Sequence, residues 1–152
     1  CAFQSCPELV TAMLPQGIEQ IGKYSFAGSG LKTISIPRSV FWVGEGVYSD
    51  CKRLNNVVVP DNIISIPDKM FSGCDSLSEI KLPETVDSIG ADAFRDCSSL
   101  QSIVIPESGK SLSLEHTRSL RCFVTDSPRQ KSTQEAMISR FRSFTEVGLW
   151  DY

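Results

Sequence analysis

The chain has 152 residues, 41% hydrophobic and 22% charged, the composition of a soluble globular protein with enough apolar material for one core. A formal net charge of −3 argues against the phosphate backbone of nucleic acid as a partner, because such binders carry a basic footprint. No apolar run approaches the roughly eighteen residues of a membrane span, and no export-signal pattern opens the chain, an absence that decides nothing because such segments are removed.

The first residues already read as part of a repeating unit. Ala2, Phe3, Cys6, Leu9, Ala12, Leu14 and Pro15 have the spacing of Ala93, Phe94, Cys97, Leu100, Ile103, Ile105 and Pro106. A coil entered at its middle leaves Phe3 and Leu9 thinly covered, so the expectation is further repeats before Cys1 or a second subunit over that end. Pro15 to Pro37 is a coil of 22 residues, shortened by one near Gly28, Ser29 and Gly30, where glycine tolerates a tight turn. Pro37 to Pro60 follows at 23 residues with Val40, Val43, Gly44, Val47, Tyr48, Cys51, Leu54, Val57 and Val59 in the core places.

The stretch from Pro60 to Pro106 holds two copies that superpose at a period of 23 residues. Ile63 matches Val86, Ile66 Ile89, Phe71 Phe94, Cys74 Cys97, Leu77 Leu100, Ile80 Ile103 and Leu82 Ile105. A fixed period in the twenties with Leu-x-x-Ile-x-Ile spacing predicts a solenoid, in which each coil buries its core by stacking on the next. Alternation in that segment places both Ile positions inward, so each coil carries a short strand there, stopped by a proline that has no N–H to donate. A second extended piece is expected around Val86 to Ile89, followed by a turn into Phe94.

After Pro106 the pattern decays and returns once, as Leu120-x-x-Phe123-x-Thr125. From Ser132 the period becomes helical. Ser132 and Glu135 form a capping box, Met137, Phe141 and Phe144 share one face, and Gly148 stops the helix. The expected organisation is a repeat array over 1–131, of about five to six coils, with a helical cap and tail over 132–152.

Cys6, Cys51, Cys74 and Cys97 fall at one repeat position, and residues so related stack about 4.8 Å apart. A ladder of buried thiols acting as small apolar fillers accounts for them better than disulfides or metal ligands. Cys1, Cys122 and the single His116 offer no zinc-like spacing, and neither a metal nor a cofactor is expected.

The recurring Ile-Pro-x-x-Val-x-x-Ile-Gly-x-x-Ala-Phe-x-x-Cys-x-x-Leu-x-x-Ile, clearest in Pro83 to Ile103, resembles the BspA-type leucine-rich repeats, and the resemblance runs from Ala2 to about Thr125. It implies an α/β solenoid, a right-handed leucine-rich-repeat coil with a parallel concave β-sheet, here closed by a C-terminal capping helix. Proteins of that family stand on bacterial and protist surfaces, and several look like adhesins for host matrix proteins. An extracytoplasmic setting (secreted, periplasmic or cell surface) and a protein partner follow from the resemblance. Phe41-Trp42, Pro67 in the place of Gly90 and the decayed coil after Pro106 depart from the pattern.

Enzyme signatures are missing. There is no Gly-x-Ser-x-Gly elbow, phosphate loop or His-Glu-x-x-His helix, and Glu79, Glu84, Asp87 and Asp92 fall on different sides of the coil. His116 beside Glu115 is a surface pair more readily than a dyad. The opportunity is a surface. The outward strand position gives a row of Met13, Ser35, Val58, Lys81, Val104 and Val124 on the concave face, beside a polar row of Thr11, Thr33, Asn56, Glu79 and Ser102. Mixed apolar and hydrogen-bonding rows suit a protein partner, although the strand propensity of Val accounts for its presence equally well.

Phe41 and Trp42 occupy places filled elsewhere by Glu19-Gln20, Ile64-Ser65 and Asp87-Ser88, so both should point outward, with Phe41 beside Ile64. Trp is an interface anchor, which favours a partner or second subunit there; packing over the shortened coil is the competing account. Arg118, Arg121, Arg129, Lys131, Arg140 and Arg142 form the only basic concentration, a solvated face or an anion contact. The reading is a non-enzymatic protein-binding module with Phe41, Trp42, Ile64, Met13, Asn56, Val58, Glu79, Lys81 and Val104 as its contact residues. Its competitor is an assembly module that homo-oligomerises through the N-terminal coil and the aromatic patch.

Overall fold

The computed structural model describes residues 1–105 and the strand at 124–125. The expected helix over 132–152, the boundary at 131, His116 and the basic cluster lie outside the described residues. Among the described residues there are strands and turns and no helix.

Each coil between residues 15 and 105 contributes two short strands. The front strands are β2 (Thr33–Ser35), β4 (Asn56–Val58), β6 (Glu79–Lys81), β8 (Ser102–Ile105) and β9 (Val124–Thr125); the back strands are β1 (Gln20–Ile21), β3 (Trp42–Val43), β5 (Ser65–Ile66) and β7 (Ser88–Ile89). All pairings are parallel and join residues one repeat apart: Ile34 with Val57, Ile80 with Ile103, Ile21 with Val43 and Ile66 with Ile89. In β2, β4 and β6 the inward residue is buried and its neighbours are exposed, as period-two alternation requires. Leu31, Leu54 and Leu77 form a buried row, as do Val40, Ile63 and Val86, so the core is one apolar column along the solenoid axis.

The expected single concave sheet is interrupted. β2 pairs with β4 and β6 with β8 and then β9, while β4 and β6 do not pair; on the back, β1 pairs with β3 and β5 with β7, while β3 and β5 do not. Both interruptions fall at one junction, between the coil of residues 37–59 and that of 60–82.

A third ladder, in the turns, runs without a break. Tyr24 N donates to Glu45 O, Gly46 N to Asp68 O and Lys69 N to Ala91 O; four residues on, Ser5 N donates to Ala27 O, Gly28 N to Ser49 O, Asp50 N to Ser72 O and Gly73 N to Arg95 O. These donors all have left-handed backbone, Tyr24, Gly46 and Lys69 at one place and Ser5, Gly28, Asp50 and Gly73 at the other, and Asp92 and Asp96 hold the same conformation at the equivalent places one coil on. A non-glycine residue held there costs about 1–2 kcal/mol. The hydrogen bond that each strained amide gives to the next coil offsets this.

Behind the turns, Phe3, Phe26, Tyr48, Phe71 and Phe94 stack as near-parallel rings with centroids 5.2, 5.8, 5.9 and 5.4 Å apart. Tyr48 alone carries a hydroxyl, which is buried without a hydrogen-bond partner. Burial holds that phenol far above its usual range. Because an orphaned buried donor forfeits its hydration, Tyr48→Phe is expected to stabilise the fold by about 1–2 kcal/mol, read as a higher urea midpoint at unchanged m-value.

Cys51 and Cys74 fill the core as free thiols, as expected, with Cys97 packed against it, and the thiols also hydrogen-bond between coils. Cys51 Sγ donates to Phe26 O at 3.1 Å, Cys74 Sγ to Tyr48 O at 3.2 Å and Cys97 Sγ to Phe71 O at 3.0 Å, so each thiol ties its coil to the aromatic rung before it. Desolvation raises the thiols of Cys51 and Cys74 and pushes Cys97 up to about 12, which keeps them protonated donors. The five described cysteines are free. Ser29 stands in the thiol place of the second coil and meets Cys51 Sγ at 3.3 Å. One residue later the shortened turn closes at Gly30, where a Cβ would lie 1.9 Å from Pro7 O.

Candidate interaction surfaces

The front strands present the expected rows. Met13, Ser35, Val58 and Lys81 are exposed and Val104 is half-buried. Their spacing is set by backbone register: Ser35 lies beside Val58, Lys81 beside Val104 and Val104 beside Val124. In the polar row, Thr11 bridges to Thr33, Thr33 pairs with Asn56, and Ser102 Oγ donates to Glu79 Oε2 at 3.2 Å. Side chains held on paired strands are rigidly spaced, which suits repeated contact with one partner. The rows do not continue evenly. Between Val58 and Lys81 the unpaired junction opens a shallow cleft of about 760 Å³, floored by Val57 and Leu82 and edged by Asn56, Asp61 and Glu84.

On the back, Phe41, Trp42 and Ile64 are 59%, 43% and 63% exposed. Phe41 and Trp42 are fixed by their main chain, since both amides point at Glu19 O and Trp42 pairs with Gln20. Their side chains stand outside the core, and the shortened coil is closed by Gly30 without them. Phe41, Trp42 and Ile64 wall a cleft of about 330 Å³ that also includes Pro67, Lys23 and Asp68.

The charges at the rim of this cleft are already satisfied. Glu45 accepts from Tyr24 Oη at 2.7 Å and from Lys69 Nζ at 3.1 Å, with Lys23 Nζ at 3.5 Å. The Tyr24 hydroxyl and then Lys69 hold the Glu45 carboxyl below its ordinary range; the same bonds raise Tyr24 and Lys69. Asp68 Oδ1 is engaged by the amide of Ala91 at 2.8 Å. The chemistry left for a ligand is therefore apolar and aromatic surface plus main-chain groups.

Among the described residues, no group of three or more His, Cys, Asp or Glu side chains could hold a metal ion. No helix among them is long and apolar enough to cross a membrane. The front rows and the aromatic pair were legible in the sequence. The break between them was not, although its signal is Pro67: in the neighbouring junctions Gly44 N donates to Ile21 O and Gly90 N to Ile66 O, and the residue at that place in the intervening coil has no N–H.

Comparison with known proteins agrees with this architecture. The model of the BspA type leucine rich repeat region matches residues 1–116 with 6 copies. A leucine rich cell surface protein of Faecalibacterium prausnitzii A2-165 superposes with a TM-score of 0.63 at 27% identity, covering 79% of this chain and 33% of that one. A leucine-rich repeat protein of Bacteroides ovatus ATCC 8483 gives 0.58 at 24% identity, covering 84% of this chain and 46% of the other, a likeness of fold. The chain thus spans a third and under half of the lengths of these two proteins. No curated protein matches the sequence. With the repeat model matched over most of its length, and with the coil geometry found in solved leucine-rich-repeat structures, the chain belongs to the family of BspA-type leucine-rich-repeat proteins.

Proposed function

We propose that this chain is a non-enzymatic protein-binding module displayed outside the cytoplasm, adhesin-like, whose partner is a host or extracellular matrix protein. The exposed aromatic pair Phe41 and Trp42, backed by Ile64, carries the reading: three large apolar side chains stand clear of a core that does not need them. Such residues are enriched where partners anchor. The front rows, with Met13, Asn56, Val58, Glu79, Lys81 and Val104, supply the second contact region. Because both surfaces are preformed, association loses little to ordering. The likeness to a cell surface protein at 27% identity supports the location.

The same patch supports a second reading, in which it joins two copies of this chain. Immobilised matrix and serum proteins, probed with the purified chain and with Trp42→Ala, separate the two. Capture of a matrix protein that weakens at least tenfold in Trp42→Ala, with an unchanged melting temperature, supports adhesion. Self-association in light scattering that disappears in Trp42→Ala, without capture, supports assembly. Binding and oligomeric state that are both indifferent to the substitution would remove the patch from either function.

A further inference from the structure

The junction between the coil of residues 37–59 and that of 60–82 differs from its neighbours on two faces at once. On the front, Asn55 and Asn56 N donate to Lys32 O, and Ile36 N to Val58 O; one junction beyond, Gln101 and Ser102 N donate to Ser78 O, and Leu82 N to Val104 O. The equivalent bonds at the intervening junction, from Ser78 or Glu79 to Asn55 and from Val59 to Lys81, are not made. On the back, Phe41 N donates to Glu19 O and Asp87 N to Ile64 O, but Ile64 gives no such bond to Phe41. Pro67 removes the last donor on that side.

Pro67 also needs room. At the same place in the neighbouring coils, a Cβ on Gly44 would come within 2.5 Å of Lys23 N, and one on Gly90 within 2.5 Å of Asp68 N. Stacking at the ordinary spacing therefore leaves no space for a side chain there, and a pyrrolidine ring holds the two coils apart. The clefts of about 760 Å³ and 330 Å³ both open along this line.

What remains across the junction lies mostly on the turn side, where Lys69 Nζ also meets Glu45 Oε1 at 3.1 Å, with a second set of contacts at the corner after the front strand, where Arg38 faces Asp61 at 4.0 Å. Gly46 N donates to Asp68 O, Tyr48 N to Met70 O and Asp50 N to Ser72 O; Cys74 Sγ reaches Tyr48 O, and Ser76 Oγ reaches Lys52 O at 2.6 Å. Tyr48 stacks on Phe71, and Asn62 Nδ2 holds Val40 O near the start of the coil. Val57 and Ile80 stay buried on either side, so the core is continuous and restricts any movement to a tilt.

We propose that this junction is a hinge built into the solenoid, with residues up to Val59 and residues from Pro60 moving as two stiff bodies about the turn ladder. A tilt changes the distance between Val58 and Lys81 on the front and between Trp42 and Ile64 on the back in the same movement. A partner seated across either cleft thereby fixes the other. Solenoids have only nearest-neighbour interfaces, so one weakened interface concentrates the compliance of the whole array.

Hydrogen exchange followed by mass spectrometry on the full chain tests this with Pro67→Gly, which restores both the donor and the room, and Pro67→Ala, which restores the donor alone. In the unsubstituted chain, the amides of Val59, Ile64, Ser78 and Glu79 are expected to exchange about a hundredfold faster than their hydrogen-bonded equivalents Ile36, Asp87, Gln101 and Ser102. In Pro67→Gly the back amides slow at least tenfold, and the front amides of Val59 and Glu79, remote from the substitution, slow with them. Pro67→Ala gives a smaller change of the same sign on both faces. Front amides that keep their rate while the back ones slow would overturn the hinge, leaving two unconnected gaps. Equal protection at all junctions of the unsubstituted chain would overturn it outright.

Discussion

Replacing Phe71 by alanine is expected to cost about 3–5 kcal/mol and to divide the unfolding of the protein into two steps. The ring is fully buried and stacks on Tyr48 at 5.9 Å and on Phe94 at 5.4 Å. Truncation therefore removes two aromatic contacts, each worth about 0.5–1.5 kcal/mol beyond the area they bury, in addition to the transfer and cavity terms. The cavity cannot collapse cheaply, because the rungs above and below are held at fixed height by the turn ladder: Phe71 N donates to Ala93 O, and Tyr48 N to Met70 O.

Position decides the second half of the expectation. A linear array is stable as the sum of its coils and of the interfaces between neighbours, so cooperativity fails first where an interface is weakest. The junction in front of Phe71 lacks its front and back ladders, and the Tyr48–Phe71 stack is among the few contacts that couple the two halves. Urea unfolding followed by far-ultraviolet circular dichroism should change from one transition to two in Phe71→Ala. Phe26→Ala, at an intact junction, should lower the midpoint and keep a single transition. One transition in Phe71→Ala, displaced by under about 1 kcal/mol, would show that the halves are coupled by something other than the ring column.

Much of this was legible in the sequence because a solenoid converts spacing along the chain into neighbourhood in space. Once Phe71 and Phe94, or Ile80 and Ile103, recur at one period, parallel stacking brings them side by side, and the register of every described strand pair agrees. The outward places of Phe41, Trp42 and Ile64 followed from the same alternation. What the pattern concealed depends on main-chain geometry, which recurrence of side-chain types does not report. The left-handed places are filled by Ser, Tyr, Lys, Asp and Gly, with no shared side-chain character to betray them. Ser29 took the thiol place across the shortened turn, where counting by 23 and by 22 gives different partners. Pro67 was visible as a departure from glycine, but its consequence required knowing that glycine at that place serves the approach of two coils, and not a turn.

That role of glycine leads to the second large effect. Gly44→Ala is expected to destabilise the protein by about 3 kcal/mol, and Gly90→Ala by a similar amount, through steric conflict alone. Neither residue has a positive φ, so backbone conformation is no obstacle to alanine. The obstacle is the preceding coil: a Cβ at Gly44 would lie 2.5 Å from Lys23 N and 2.8 Å from Lys23 Cα, and one at Gly90 2.7 Å from Pro67 C. These are main-chain atoms that no rotamer change can move aside. The chain contains its own controls. Gly22 occupies the same repeat place, and its added Cβ would meet only Ser25 Oγ at 3.3 Å, so Gly22→Ala should change stability by under about 0.5 kcal/mol. Gly17 has a φ of +104° and nothing within 4 Å, so Gly17→Ala isolates the conformational cost, expected near 1 kcal/mol. Chemical denaturation of the four variants should rank Gly44 and Gly90 well above Gly17, and Gly17 above Gly22. A Gly44→Ala protein as stable as Gly22→Ala would mean that neighbouring coils part freely at this place, and would remove the steric reason for reading Pro67 as the wedge that separates the two halves.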